Sequence, residues 1–161
     1  MSSYSYKMVN EESVSAVTAT PSVQLGTRRL VDGNEYVYCY NGGGAANQGA
    51  PCILTSTSGY TYVTTFATGA DTNVAFLGLL NNATCAAGSC AWVCTKGFGK
   101  AYVQSAAIIA GDALWIVDGG GYCGVVTMTS KVTMVLAKGI IGRAQQIASA
   151  GYSGVVDVYM R

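Results

Sequence analysis

The chain has 161 residues, of which only 11% are charged and 50% apolar, with 21 glycines and a mean hydropathy of +0.32. That length suits one domain with a real core rather than two. So little charge, against roughly 25% in ordinary soluble domains, points to apolar surface hidden against neighbouring subunits. A net charge of +1, with Arg28-Arg29 the only adjacent basic pair, leaves no electrostatic case for nucleic acid. No apolar run approaches the ~18 residues of a membrane helix.

The opening stretch MSSYSYKMVNEESVSAV has neither the basic region nor the apolar run of a signal peptide, so the chain is expected to stay where it is made. Residues 1–24 are rich in Ser, Thr and Val, contain Pro21 and show no helical period. They carry too little apolar mass to fold alone and read as an N-terminal arm, either a disordered tail or a segment ordered by lying on another subunit. Residues 25–161 read as a β-domain.

Regular structure is expected from Leu25, with a turn at Asp32-Gly33-Asn34. Glu35 to Tyr40 is a pure β run whose alternation puts Tyr36, Tyr38 and Tyr40 on one face and Val37 and Cys39 on the other. Such a tyrosine ladder is either a stacking platform for sugars or bases or, more commonly, an amphipathic face at a core edge or subunit contact. Asn41 to Gly49 (NGGGAANQG) reads as a flexible loop; without a GK[ST] sequence or a helix after it, its glycines do not signal phosphate. Cys52–Thr57 and Tyr60–Phe66 read as a hairpin joined at Ser58-Gly59. A polar loop follows from Thr68 to Asn73, then a buried strand from Val74 to Leu80, ended by Asn81-Asn82.

In the central stretch, a strand from Cys90 to Lys96 is expected to meet a tight Gly97-Phe98-Gly99-Lys100 turn, followed by a strand from Ala101 to Gln104. Period two sets Cys90, Trp92 and Cys94 on one face and Ala91, Val93 and Thr95 on the other. Ala110-Gly111-Asp112 turns into a strand from Ala113 to Val117, and a Gly-rich turn spans Asp118 to Gly121. Val125–Met128 and Lys131–Leu136 read as a strand pair around Thr129-Ser130. Gly139 to Ala150 is ambiguous: Ile140, Ala144 and Ile147 share a helical face, while Ile140-Ile141-Gly142 also suits a strand entering a turn. Val155 to Met160 closes the chain as a strand. Short strands punctuated by glycine give an all-β fold, a small antiparallel β-barrel or β-sandwich, with few helical residues.

Chemistry is hard to find. There is no histidine, hence no Ser-His-Asp or Cys-His arrangement, and Asp32, Asp71, Asp112, Asp118 and Asp157 sit mostly in turn contexts. The six cysteines, Cys39, Cys52, Cys85, Cys90, Cys94 and Cys123, lack the CxxC spacing of a zinc knuckle. Cys90 and Cys94 on one strand would stand roughly 13 Å apart, too far to bond. The reading is free, packed thiols, with a Cys85–Cys90 bridge across the Ala86-Ala87-Gly88-Ser89 turn as the alternative. No enzyme, cofactor or metal is expected.

The run GTRRLVDGNEYVYCYNGGGAANQGAPC resembles the opening of the small head decoration, or capsid cement, proteins of tailed bacteriophages. Three later features resemble the same group, in the same order over residues 25–161. They are Phe76-Leu77-Gly78 with Ala86-Ala87-Gly88 and Ala91-Trp92-Val93; Ala110-Gly111-Asp112-Ala113-Leu114; and Ile141-Gly142-Arg143-Ala144 with Ser153-Gly154-Val155-Val156-Asp157-Val158. The six cysteines, the longer arm and the segment near Thr127 to Leu136 depart from that pattern. The resemblance implies a structural virion protein on the outer capsid surface, assembled in the host cytoplasm, with the major capsid protein as partner and a homo-oligomer, a trimer by preference. The expected contacts are Tyr4, Tyr6, Val14 and Val17 in the arm, Arg28 and Arg29 on a strand edge, and Tyr36, Tyr38, Tyr40 and Trp92. Alternatives are a self-assembling tail, filament or surface-fibre subunit whose arm adds a strand to its neighbour, and a carbohydrate-binding module using the tyrosine face or Trp92.

Overall fold

A computed structural model describes residues 13–56, 60–63, 75–82, 84–117, 121–125 and 140–160. Every regular element in them is a strand: β1 (Val17–Thr18), β2 (Arg28–Val31), β3 (Asn34–Asn41), β4 (Ala46–Asn47), β5 (Pro51–Ser56), β6 (Thr61–Val63), β7 (Ala75–Leu80), β8 (Thr84–Cys85), β9 (Cys90–Ile108), β10 (Ala113–Ile116), β11 (Cys123–Val125), β12 (Ile140–Ala144) and β13 (Ala148–Met160). The fold is all-β.

Local chemistry sets the first hairpin. Asp32 and Gly33 both take positive φ, 50° and 80°, between Val31 and Asn34, which pair directly. Two consecutive left-handed residues make the tight turn whose twist matches the flanking strands, and Asp-Gly is a favoured pair for it. A Cβ on Gly33 would meet nothing within 4 Å, so Gly33→Ala carries only the backbone penalty. The expected loss is about 1–2 kcal/mol, read as a shift in the urea midpoint with an unchanged slope.

The longest strand, β9, organises the rest. Its first half pairs antiparallel with β3, Tyr38 opposite Trp92, and with β7 at Leu79 and Leu80. From Gly97 onward it pairs with β13, Met160 opposite Gly97 through Ala148 opposite Ile108. Among the described residues, the main sheet has 11 strands in the order β11-β10-β12-β13-β9-β7-β5-β6-β3-β2, with β1 on β9 and further pairings β11–β9 and β9–β3. A separate two-stranded sheet joins β4 to β8.

Alternation divides the buried side chains into two clusters. Tyr36, Tyr38, Trp92, Cys90 and Cys94 lie in the larger one, with Val103, Ile108, Leu114, Val156, Val158 and Met160. Val37, Cys39, Ala91 and Val93 lie in the smaller one with Cys52, Tyr62, Leu80 and Cys85. The face assignments made from period two in β3 and β9 therefore hold.

Several expectations are corrected. Gly97-Phe98-Gly99-Lys100 is not a turn between two strands but lies inside β9, where the strand changes partners. Gly97 takes φ 95° and Asn34 Oδ1 accepts the Phe98 N–H at 2.7 Å, so the backbone kinks without breaking. Asn41 to Gly49 is not a plain flexible loop: it contains β4, and buried Asn41 donates from Nδ2 to the carbonyls of Gly44, Cys85 and Ala86 while Oδ1 accepts the Gly43 N–H. One amide satisfying several backbone groups fixes a glycine-rich segment that has no apolar pattern of its own. The ambiguous stretch is, over its described residues 140–150, strand, bend and strand, since Ile141 and Ala144 bury against the core in β12 and β13 already begins at Ala148. The sheet is mixed rather than antiparallel throughout, because β3–β6 and β9–β11 pair in parallel. Tight turns dictate direction only between the strands they join, and neither of these pairs is joined by one. The expected strand pair after Val125, the turn at 118–120 and the end of the strand from Tyr60 lie outside the described residues.

Candidate interaction surface

β2 stands at the end of the pairing order, and among the described residues no strand pairs with its other side. In the antiparallel ladder to β3, Val31–Asn34 is the hydrogen-bonded pair next to the turn, and Tyr38 N–H donates to Thr27 O at the far end. Alternation then turns the backbone groups of Arg28 and Leu30 to the open side. Their side chains also share the outer face: Arg28 forms an ion pair with Glu35, and Leu30 is 77% exposed. Arg29 and Val31 turn inward, the Arg29 guanidinium 5.4 Å above the Trp92 ring and Val31 against the larger core cluster.

A second exposed region follows the ladder of β9 and β13. Phe98 (61% exposed) faces Tyr159 across the strands with ring centroids 5.0 Å apart. Beside them Lys100 and Asp157 form an ion pair at 2.8 Å. Ile109 and Ile147 are exposed just beyond the opposite end of the ladder.

The residues expected from sequence as contacts fall into distinct groups. Tyr4 and Tyr6 lie outside the described residues. Val14 is half-buried against the larger core cluster, and Val17 is exposed on β1, opposite Ala91 of β9. The arm's described part thus lies on its own chain. It is tied down by Tyr38, whose hydroxyl bonds Thr18 Oγ1 and Ser22 Oγ and accepts the Ser22 N–H. Tyr36, Tyr38 and Trp92 are buried in the chain's own core and present no surface to a partner, while Tyr40 is half-buried. This is a correction: the tyrosine face exists, but the arm and the other strands cover it. Of the expected set, Arg28 offers its side chain outward from the open edge.

Leu30, Phe98 and Tyr159 were missed by sequence reasoning. The signal was present in Phe98-Gly99-Lys100-Ala101-Tyr102, where large or charged residues alternate with small ones, once the stretch is read as strand instead of turn.

All six cysteines are buried, and none forms a disulfide. Burial pushes Cys39 and Cys123 up to about 12 and Cys94 up to about 11, the last opposed by a hydrogen bond with the Lys96 backbone. Cys52 is raised well above the ordinary range by burial and then by Cys39, Cys85 and Cys123 around it. Cys85 is raised by burial, against hydrogen bonds to Tyr62 and Asn41. Protonated, enclosed thiols make poor nucleophiles. Among the described residues no three His, Cys, Asp or Glu side chains group as a metal site, and no helix is long and apolar enough to cross a membrane. Chemically, the surface offers backbone groups that no described strand pairs and exposed apolar side chains: it can bind by strand pairing and by apolar contact.

No known protein-family model matches this chain, and no curated protein matches it either.

Proposed function

We propose that the chain is a structural virion protein, a decoration or cement protein that binds the outer surface of a tailed-phage head and stabilises contacts between capsomers. Its partners in this reading are the major capsid protein and further copies of itself, with a trimer favoured. The observation that carries the reading is the open β2 edge, with the backbone of Arg28 and Leu30 turned outward beside an exposed leucine. Edges of this kind take up an extended segment from another chain, main-chain hydrogen bonds giving affinity and flanking side chains specificity. The order of family-like motifs over residues 25–161 supports the same reading. The finer fold in this reading is a small barrel or sandwich, supported by the pairings that bring both β3 and β11 back to β9.

Repetition on a lattice strengthens a modest contact by avidity, which suits a site built on a four-residue strand. The test is co-sedimentation of the pure protein with matching capsids that lack it, wild type against Leu30→Pro. Proline at this position removes an outward N–H and no ladder bond, so the variant should keep its melting curve within a few degrees. Its capsid binding should fall by at least about tenfold. Equal binding by the folded variant would sink the role of the edge, and wild-type protein that ignores capsids would sink the capsid reading.

The same open edge also favours the alternative, a self-assembling tail, filament or surface-fibre subunit. Open-ended polymers formed by the pure protein without capsids would decide for it. The carbohydrate-binding alternative is the less favoured, since Tyr36, Tyr38 and Trp92 are enclosed and Tyr40 alone of that set is half-buried.

A further inference from the structure

We propose that the outer face of the β9–β13 ladder pairs with the same face of a second copy of this chain across a two-fold axis. Three cross-strand pairs form that face: Phe98 with Tyr159, Lys100 with Asp157, and Tyr102 with Val155. Period two sends Ala101, Val103, Val156, Val158 and Met160 of the same strands into the core, so the six outer residues belong to one surface. Phe98 is 61% exposed, and the side chains of Lys100 and Asp157 are 48% and 52% exposed.

The occupant follows from the charge arrangement. In a chain with 11% charged residues, one cation and one anion stand side by side next to an exposed aromatic pair. Turn a copy about an axis running along the ladder, midway between the strands. Each Lys100 then lies over the other copy's Asp157, each Phe98 over the other's Tyr159, and each Tyr102 over the other's Val155. Every cross-strand pair is thereby its own complement, which is the condition for an isologous contact. Two sheets packed this way lie about 10 Å apart with their strands aligned to within about 30°, a gap that lysine, tyrosine and phenylalanine side chains fill. An unrelated partner would have to supply an opposite charge pair in matching register; the second copy supplies it by symmetry.

Six residues are far fewer than the roughly 20–30 a side of a standard interface. The pairing is therefore weak between free chains and gains strength where copies are already held close. It goes beyond the capsid reading and does not depend on it.

Charge reversal tests it. Sedimentation velocity over a concentration series would be run on wild type, Lys100→Asp, Asp157→Lys and an equal mixture of the two variants. Wild-type protein should sediment faster as concentration rises. Lys100→Asp presents two carboxylates and Asp157→Lys two ammonium groups, so each variant repels itself and should lose about tenfold or more in self-association. The mixture sets carboxylates against ammonium groups and should regain it. The ion pair within each chain is broken in both variants, so recovery on mixing cannot come from the fold. Wild type that never self-associates, variants that associate like wild type, or a mixture that stays apart would each overturn the proposal.

Discussion

Replacing Trp92 by alanine should cost the chain about 3–5 kcal/mol, most of the stability of an ordinary domain at the lower end of the 5–15 kcal/mol range. The side chain is fully buried, and it sits where three parts of the structure meet. Its ring packs on Tyr38 at 5.0 Å with the planes tilted by 51°, and Arg29 of the edge strand covers it. Its backbone is held as well, the Trp92 N–H donating to Asn82 Oδ1 and the Trp92 carbonyl accepting the Asn81 N–H. Removing the ring therefore opens a large cavity beneath Tyr38, the residue whose hydroxyl anchors Thr18 and Ser22. The arm should loosen with it. Urea unfolding followed by the fluorescence of Trp115, the remaining tryptophan, gives the midpoint, and proteolysis near Thr18 to Ser22 reports the arm. Trp92→Phe keeps most of the ring and should lose less, about 1–2 kcal/mol. An alanine variant within about 1 kcal/mol of wild type would mean that this residue does not hold the core as described.

What the sequence revealed, and what it hid, divides along the range of the forces involved. Alternation in Glu35–Tyr40 and Cys90–Lys96 was legible because side-chain direction in a strand depends only on the neighbouring residues. Within each run it separated Tyr38 from Val37 and Trp92 from Val93, as observed, whereas the sharing of one cluster by Tyr38 and Trp92 comes from the pairing of β3 with β9, which the sequence does not show. The Asp32-Gly33 turn was legible for a similar reason. Gly97 was misread because the same residue type ends a strand or kinks one. Here the choice is made by Asn34, 63 positions earlier by the difference of residue numbers, through its bond to the Phe98 N–H. Asn41 was misread because a buried amide serving several carbonyls looks, in sequence, like any loop asparagine. The candidate surface was half legible. Arg28 was singled out as an edge residue, but Leu30 and Phe98 stand out only once it is known which strand lacks a neighbour among the described residues and that β9 runs on. Aromatic residues were nominated because they commonly bind, and in Tyr36, Tyr38 and Trp92 the core had the stronger claim.

The second large effect is expected from alkali, with unfolding between about pH 9 and pH 12. A cysteine thiol ordinarily titrates at 9.0, whereas in the folded chain burial raises Cys39 and Cys123 to about 12 and Cys94 to about 11. Below 9.0 these thiols are protonated in folded and unfolded chains alike, and their contribution to stability is fully present. Above it the unfolded chain releases their protons while the folded core still holds them, so the unfolded state binds fewer protons and stability falls as pH rises. The fall continues until the pH passes the folded values. Each such thiol contributes a slope of about 1.4 kcal/mol per pH unit inside its window. Cys52 and Cys85, also raised by burial, act in the same direction. Several thiols in one window are enough to exhaust a domain's margin. Urea midpoints taken from about pH 8 upward should therefore decline steeply past 9, and Cys123→Ala should decline less steeply by one thiol's share, whatever its starting stability. In parallel, a thiol-alkylating reagent should leave the folded protein unlabelled near neutral pH and label six positions once urea unfolds it. A midpoint that stays level to about pH 11, or thiols that react in the folded chain, would show that the cysteines are not enclosed as the structure has them.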